Sequence, residues 1–251
     1  MAIVTLTSLF YCQNSATPLV KTGWEDDGLK GKVKSFTEST YGAEDRFGEI
    51  KKTYLSFKDI MRYDAKGNQI EKNHYSKRRS LDTKYTYEYD AKGNQIEENH
   101  YNADSSLGTK YIYKYDAKGN QIEENHYNAD SSLDTKYTYK YDDKGNRIEW
   151  NIYNADGRLL VKITYKYDAK GNQIEENRDY TSDGSLSSKI TYKYDDKSNL
   201  IEKNDYNVVG SLAYKETYKY EFDGKGNWIK RITFKNQIPS SICEREYEYY
   251  E

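Results

Sequence analysis

Two prolines and two cysteines in 251 residues are the first scarcity. So few prolines exclude a proline-rich linker. Cys12 and Cys243, at opposite ends of the chain, are no disulfide framework. No run approaches the roughly 18 apolar residues of a membrane-spanning helix. Neither sign of charge dominates: 39 Lys and Arg stand against 41 Asp and Glu. The chain therefore lacks the basic footprint of a nucleic-acid or membrane-surface protein. Leu, Ile, Val and Phe together number only 42. With high net charge such a share would point to disorder, but the net charge is -2 and there are 29 tyrosines. Tyr buries a large ring, keeps a hydroxyl for a partner and favours strands. It is expected to do the packing that aliphatic residues do elsewhere.

The N-terminus differs from the rest. Met1 to Cys12 is apolar and uncharged, and Gln13 to Thr17 turns polar. This reads as the hydrophobic part of an export signal. Leu9-Phe10-Tyr11-Cys12 resembles a degenerate lipobox, which makes Cys12 a candidate for lipidation. The expected location is the bacterial cell envelope, as a lipoprotein, or the secreted fraction.

What the chain has is a repeat. Within the recurring string Tyr-x-Tyr-Asp-x-Lys-Gly-Asn, the Lys-Gly-Asn part places glycine at 67, 93, 119, 145 and 171, each step being 26 residues. Ser198 and Gly226 continue the series at slightly longer steps, giving seven copies. In the second copy Leu81, Thr83, Tyr85, Tyr87 and Tyr89 alternate with polar residues. Period two over nine residues is the signature of a half-buried strand. Leu159, Val161, Ile163, Tyr165 and Tyr167 hold the same register in the fifth copy, so this face is expected to be the packed core.

Asp90-Ala91-Lys92-Gly93-Asn94 then suits a type I turn followed by a left-handed glycine. Ser198 is expected to make the sixth such turn less comfortable. The second half, Gln95 to Tyr101, has ambiguous facing. Either a bulge shifts its register or both of its faces carry packing.

Strand, turn, strand, turn predicts an all-β antiparallel meander of about seven tandem hairpins, forming an extended, twisted or coiled sheet. About fourteen strands would make a sheet about 65 Å wide. The expected organisation is a leader at 1–20, N-terminal cap strands at 21–54, hairpin repeats at 55–234 and a C-terminal cap strand at 235–251. Glu244, Arg245, Glu246 and Glu248 would protect the outer edge by their charge.

Tyr87 to Asn94 and its copies resemble the YD repeat of bacterial Rhs proteins and the related teneurin shells. Asn154-Ala155-Asp156-Gly157-Arg158-Leu159 is similar to the Asp-Gly half of such units. The resemblance covers roughly residues 55–234. In that family the repeats form a long β-sheet that spirals into a hollow shell, sometimes around a toxin. The repeat here is longer than the usual unit, and seven copies are too few for a large cocoon. The whole chain is similar to small exported bacterial YD-repeat proteins, which open on a strand like LKGKVKS (29–35) and close on segments like KGNW (225–228) and EREYEYY (244–250). The resemblance implies fold and an envelope location, and no activity.

Motif chemistry is sparse. His74, His100 and His126 occupy one repeat position, and equivalent positions two strands apart are about 9.5 Å from one another, too far to share a metal ion. Pairs such as Glu97-Glu98 point to opposite faces of a strand. No metal site, cofactor site or catalytic set is expected. The aromatic rows are the binding-like feature: Tyr75, Tyr101, Tyr127 and Tyr153 as an exposed stripe, and Trp150 as the ring to test first. The expected function is a non-enzymatic surface or secreted protein that presents an extended sheet to a protein or glycan. The alternative is an Rhs-like accessory or immunity-type component of a toxin system. Oligomeric state is open.

Overall fold

A computed structural model describes residues 22–77, 80–180 and 185–251. The leader and Cys12 lie outside these residues.

The fold is built from its turns. In the turn at residues 90–94 the Asp90 N–H donates to the Asn94 carbonyl at 2.9 Å, and Gly93 donates back to Asp90 at 3.0 Å. The Asp90 carboxylate accepts from the Lys92 and Asn94 amides, both at 2.9 Å. Gly93 has φ +90°. Ser198 adopts the same left-handed conformation, at φ +64°.

These turns and the connections at the opposite end join sixteen strands. They are β1 (Val33–Arg46), β2 (Glu49–Tyr63), β3 (Gln69–Ser76), β4 (Leu81–Tyr89), β5 (Gln95–Asn102), β6 (Leu107–Tyr115), β7 (Gln121–Asn128), β8 (Leu133–Tyr141), β9 (Arg147–Asn154), β10 (Leu159–Tyr167), β11 (Gln173–Tyr180), β12 (Ser185–Tyr194), β13 (Leu200–Tyr206), β14 (Leu212–Phe222), β15 (Trp228–Lys235) and β16 (Ile238–Tyr249). Each pairs antiparallel with its neighbours in sequence, and β1 also pairs with β16. The sheet is a closed barrel.

Closure overturns the expected extended sheet of about seven hairpins. The segments read as caps are the seam: Phe36 pairs with Tyr247, Glu38 with Arg245 and Thr40 with Cys243. The charges of β16 do not protect an edge, because there is none. Arg245 pairs with Glu38 at 2.7 Å, Glu244 with Lys52 at 2.5 Å and Glu248 with Lys34 at 2.7 Å.

The cause of the curvature lies in the register. Glu88 pairs with Glu97 and Tyr89 with Gln95, which leaves Ile96 as an extra residue. The same shift recurs beside each Asp turn, as at Tyr115 and Gln121 or Tyr141 and Arg147. A second shift between His74–Thr83 and Tyr75–Leu81 makes Asp82 extra near the opposite rim. Bulges bend strands and raise the twist. Repeated at both rims, they coil the meander until its ends meet. They also resolve the facing of the second strand: Ile70, Ile96, Ile122, Ile148, Ile174 and Ile201 are all exposed.

A sixteen-strand barrel is about 30 Å across, a size at which channels hold water. Buried apolar side chains form local clusters in keeping with such a hollow wall. One cluster joins Val33, Phe36, Met61 and Tyr63; another joins Ile152, Val161, Ile163 and Tyr165. A short helix, α1 (Gly23–Asp26), lies over the Asp-turn rim beside the first cluster. Its Trp24 indole donates to the Val33 carbonyl at 2.6 Å and packs on Gly67, where a Cβ would stand 2.6 Å from the ring. Among the described residues no helix is long and apolar enough to cross a membrane.

Candidate functional site

Period two sends alternate residues of each strand to the two faces of the barrel wall. The outer face carries charge. Glu123 bridges Lys114 and Lys136 at 2.6 Å each. Glu149 bridges Lys140 and Lys162 at 2.7 and 2.9 Å, and Glu175 bridges Lys166 and Lys189 at 2.7 and 2.6 Å. Glu202 continues the ladder with Lys193 and Lys215 at 2.7 and 2.5 Å. The Lys166 and Lys189 hydrogen bonds hold the Glu175 carboxyl down at about 2, and those from Lys193 and Lys215 do the same for Glu202. For Glu123 burial opposes the shift, and the two lysines outweigh it.

The lumenal face is aromatic. Thr83, Tyr85, Tyr87 and Tyr89 line it, and so do the partners opposite them on β5. This is the face expected to be packed: Val161, Ile163 and Tyr165 are buried on it in the fifth copy, while Tyr85, Tyr111 and Tyr137 are half-buried. Its tyrosines form three tiers. Nearest the Asp turns, the Tyr89, Tyr115, Tyr141 and Tyr167 hydroxyls each donate at 2.7 Å to the carbonyls of Gln69, Gln95, Gln121 and Arg147. In the middle tier Tyr113 donates to Glu98 at 2.8 Å and Tyr139 to Glu124 at 2.6 Å. Burial pushes the phenols of Tyr113 and Tyr139 well up, so they remain neutral donors.

In the third tier tyrosine alternates with histidine. Ring centroids are 4.3 Å apart for Tyr85–His100, 4.4 Å for His100–Tyr111, 4.0 Å for Tyr111–His126 and 4.4 Å for His126–Tyr137. Ile152 takes the histidine position opposite Tyr137, and the ring contacts pass on to Trp150 of the middle tier, 5.7 Å from Tyr137. The result is a girdle of six rings over neighbouring strands, each of them half-buried.

The carboxylates among these rings are already occupied. Glu124 accepts from His126 at 2.5 Å, from Tyr139 at 2.6 Å and from Gln121 at 3.0 Å. Burial alone would raise its pKa, yet the His126, Tyr139 and Gln121 contacts carry it below the ordinary value. Glu98 repeats the set with His100, Tyr113 and Gln95. The histidines therefore serve the wall, each beside its own carboxylate. Cys243 is a buried free thiol, pushed up to about 12 by burial.

The structure separates the aromatic residues singled out in sequence. Tyr75, Tyr101, Tyr127 and Tyr153 stand on the outer face, opposite Lys58, Lys84, Lys110 and Lys136. They are half-buried, and Trp150 is not among them: it faces the lumen. Sequence reasoning missed the girdle because it assigned Tyr85, Tyr111 and Tyr137 to a core. The coincidence of three histidines and three tyrosines at the same period was the available signal.

No protein-family model matches the chain, and no curated protein matches it. Among solved structures it is similar to a porin-like protein from Bacteroides uniformis, at 10% identity and a TM-score of 0.61, over 92% of this chain and 100% of that one. A porin-like protein from Bacteroides vulgatus aligns at 14% identity and a TM-score of 0.44, over 86% and 98%. The Photorhabdus luminescens Tc holotoxin pore aligns at 17% identity and a TM-score of 0.35, over 75% of this chain and 10% of that one. The first likeness is one of fold.

Proposed function

We propose that this chain is a non-catalytic binding barrel that stands in water and takes a carbohydrate against its lumenal rings. The girdle from Tyr85 to Trp150 carries the reading. Flat rings stack on the apolar faces of sugars, and the neighbouring phenols and carboxylates bond to hydroxyls. Glu98 and Glu124 each already accept three hydrogen bonds from the wall, which supports a structural role for these carboxylates.

The description of a related fold as porin-like raises membrane insertion as a rival. A lipid-facing barrel needs an apolar outer band about 25 Å tall. Here a ladder of Lys–Glu pairs crosses the outer wall beside the Tyr75, Tyr101, Tyr127 and Tyr153 row, with lysine side chains 60% exposed at Lys114 and 66% at Lys140. Water is the solvent that such a face fits. An envelope or secreted location goes with this reading, as does the apolar start of the chain.

The test is titration of the full chain with a panel of neutral oligosaccharides, read by tryptophan fluorescence and calorimetry, beside a detergent phase-partition assay. Saturable binding that weakens in Tyr137→Ala, with the protein remaining in the aqueous phase, is the expected result. Partition into detergent together with ion conductance in planar bilayers would sink it.

A further inference from the structure

The repeats differ most informatively at one lumenal position. In the second and third copies the Gln95 amide donates to Glu98 at 3.2 Å and the Gln121 amide to Glu124 at 3.0 Å. The fifth copy keeps Gln173 and Glu176. In the fourth, Arg147 replaces the glutamine and Trp150 the glutamate. A cation enters where a neutral amide stood, and the carboxylate that would neutralise it is gone.

The local chemistry follows. The Arg147 guanidinium lies 5.3 Å from the Tyr139 ring, 5.6 Å from Trp150 and 5.3 Å from Tyr165. Among the described residues no carboxylate forms an ion pair with it. Its Nε and the Trp150 Nε1 are buried N–H groups with no acceptor. In the third and fourth copies the middle-tier tyrosine donates to the glutamate fifteen residues earlier, Tyr113 to Glu98 and Tyr139 to Glu124. For Tyr165 that residue is Trp150, so its hydroxyl has lost its acceptor. Ring faces hold the positive charge, and a buried cation without a counter-charge is costly.

We infer that Arg147, Trp150 and Tyr165 form a lumenal oxyanion subsite, and that the sugar taken by the wall is an acidic one, carrying a carboxylate or sulfate. The inference rests on the carbohydrate reading above and names its substrate class. The guanidinium supplies charge, the indole N–H and the phenol supply direction, and the girdle leading to Trp150 supplies the stacking surface for the adjoining rings. Arg147 and Trp150 are half-buried, so parts of both side chains stay accessible although their Nε–H and Nε1–H groups are not. A ligand reaches the two N–H groups when the side chains around them shift.

The repeats also supply well-matched variants. Arg147→Gln and Trp150→Glu each restore the residue found in other copies, so both are compatible with the wall. Circular dichroism and melting curves check the fold of each. Calorimetry on the full chain compares trigalacturonic acid, neutral maltotriose and inorganic sulfate. The expected result is a dissociation constant at least tenfold lower for trigalacturonic acid than for maltotriose, with that preference collapsing in both variants. Trp150→Glu acts by placing a carboxylate beside Arg147. Equal affinity for the two sugars, or a preference that survives in both variants, overturns the inference and leaves the carbohydrate reading standing. Sulfate binding as tightly as trigalacturonic acid overturns it too, since a free anion needs no wall of rings. Binding of neither sugar removes both readings.

Discussion

At the scale of single residues, the same amino acid does different work on the two faces of one wall. Glu97 faces out and meets Lys110 at 2.5 Å, while Glu98 faces in and meets His100 at 2.6 Å. Adjacent identical side chains are thus divided between a solvated ladder and an aromatic lining. The outer ladder makes stability depend on pH. Glu175 and Glu202 have folded-state values near 2, below the ordinary carboxylate value of 4.5. A depressed carboxyl contributes stability that is present above the unfolded value and lost as pH falls through the folded one. The urea midpoint is therefore expected to drop steadily between pH 4.5 and about 2, and high salt should flatten the drop by screening the exposed lysines. A midpoint constant across that interval would contradict the ladder.

At the scale of elements, the strands and Asp turns were legible because their causes are local. Alternation gave the strands, and Asp followed by Gly gave the turns. The bulge was readable only as one of two alternatives. Ile96 and Glu97 look like successive strand residues until the pairing of Tyr89 with Gln95 makes one of them extra. The girdle was illegible for a similar reason. Tyr85 in a core and Tyr85 on a lumen have the same sequence pattern, and only the space facing the sheet distinguishes them. The seam was hidden because Glu38 and Arg245 lie 207 positions apart, beyond any local period. That pair is also where closure is most vulnerable. Its side chains are only 16% and 13% exposed. Glu38→Ala leaves Arg245 buried without its partner, and should destabilise the barrel by about 3 kcal/mol or more. Removing Glu244 from its more exposed pair with Lys52 should cost under about 1 kcal/mol. Denaturant melts of the two variants check the contrast, and equal losses would argue against a buried seam pair.

At the scale of the whole molecule, closure gives a protein with few aliphatic residues a stable form. Tyrosine rings and their hydroxyl bonds line the wall, and within the closed wall each strand is paired on both sides, so the wall itself offers no edge for aggregation. A protruding turn is the other consequence. β1 pairs with β16 only as far as Gly42, and β2 pairs with β3 only from Phe57, so the intervening hairpin stands beyond the rim with Phe47 fully exposed at its tip.

The identity of the repeats carries a last consequence, one of gauge. Residues 91–102 and 117–128 have the same sequence. Excising 95–120 therefore joins Asn94 to Gln121 across a junction that reads as either original does. The shortened chain should close as a fourteen-strand barrel with its girth reduced by about one-eighth. Small-angle scattering would show a narrower folded particle, and an aggregated or unfolded product would refute it. Bore width in this architecture is then a countable property, changed in whole steps by duplicating or losing one stretch of coding sequence. Ligand size would track copy number without the design of a single new contact.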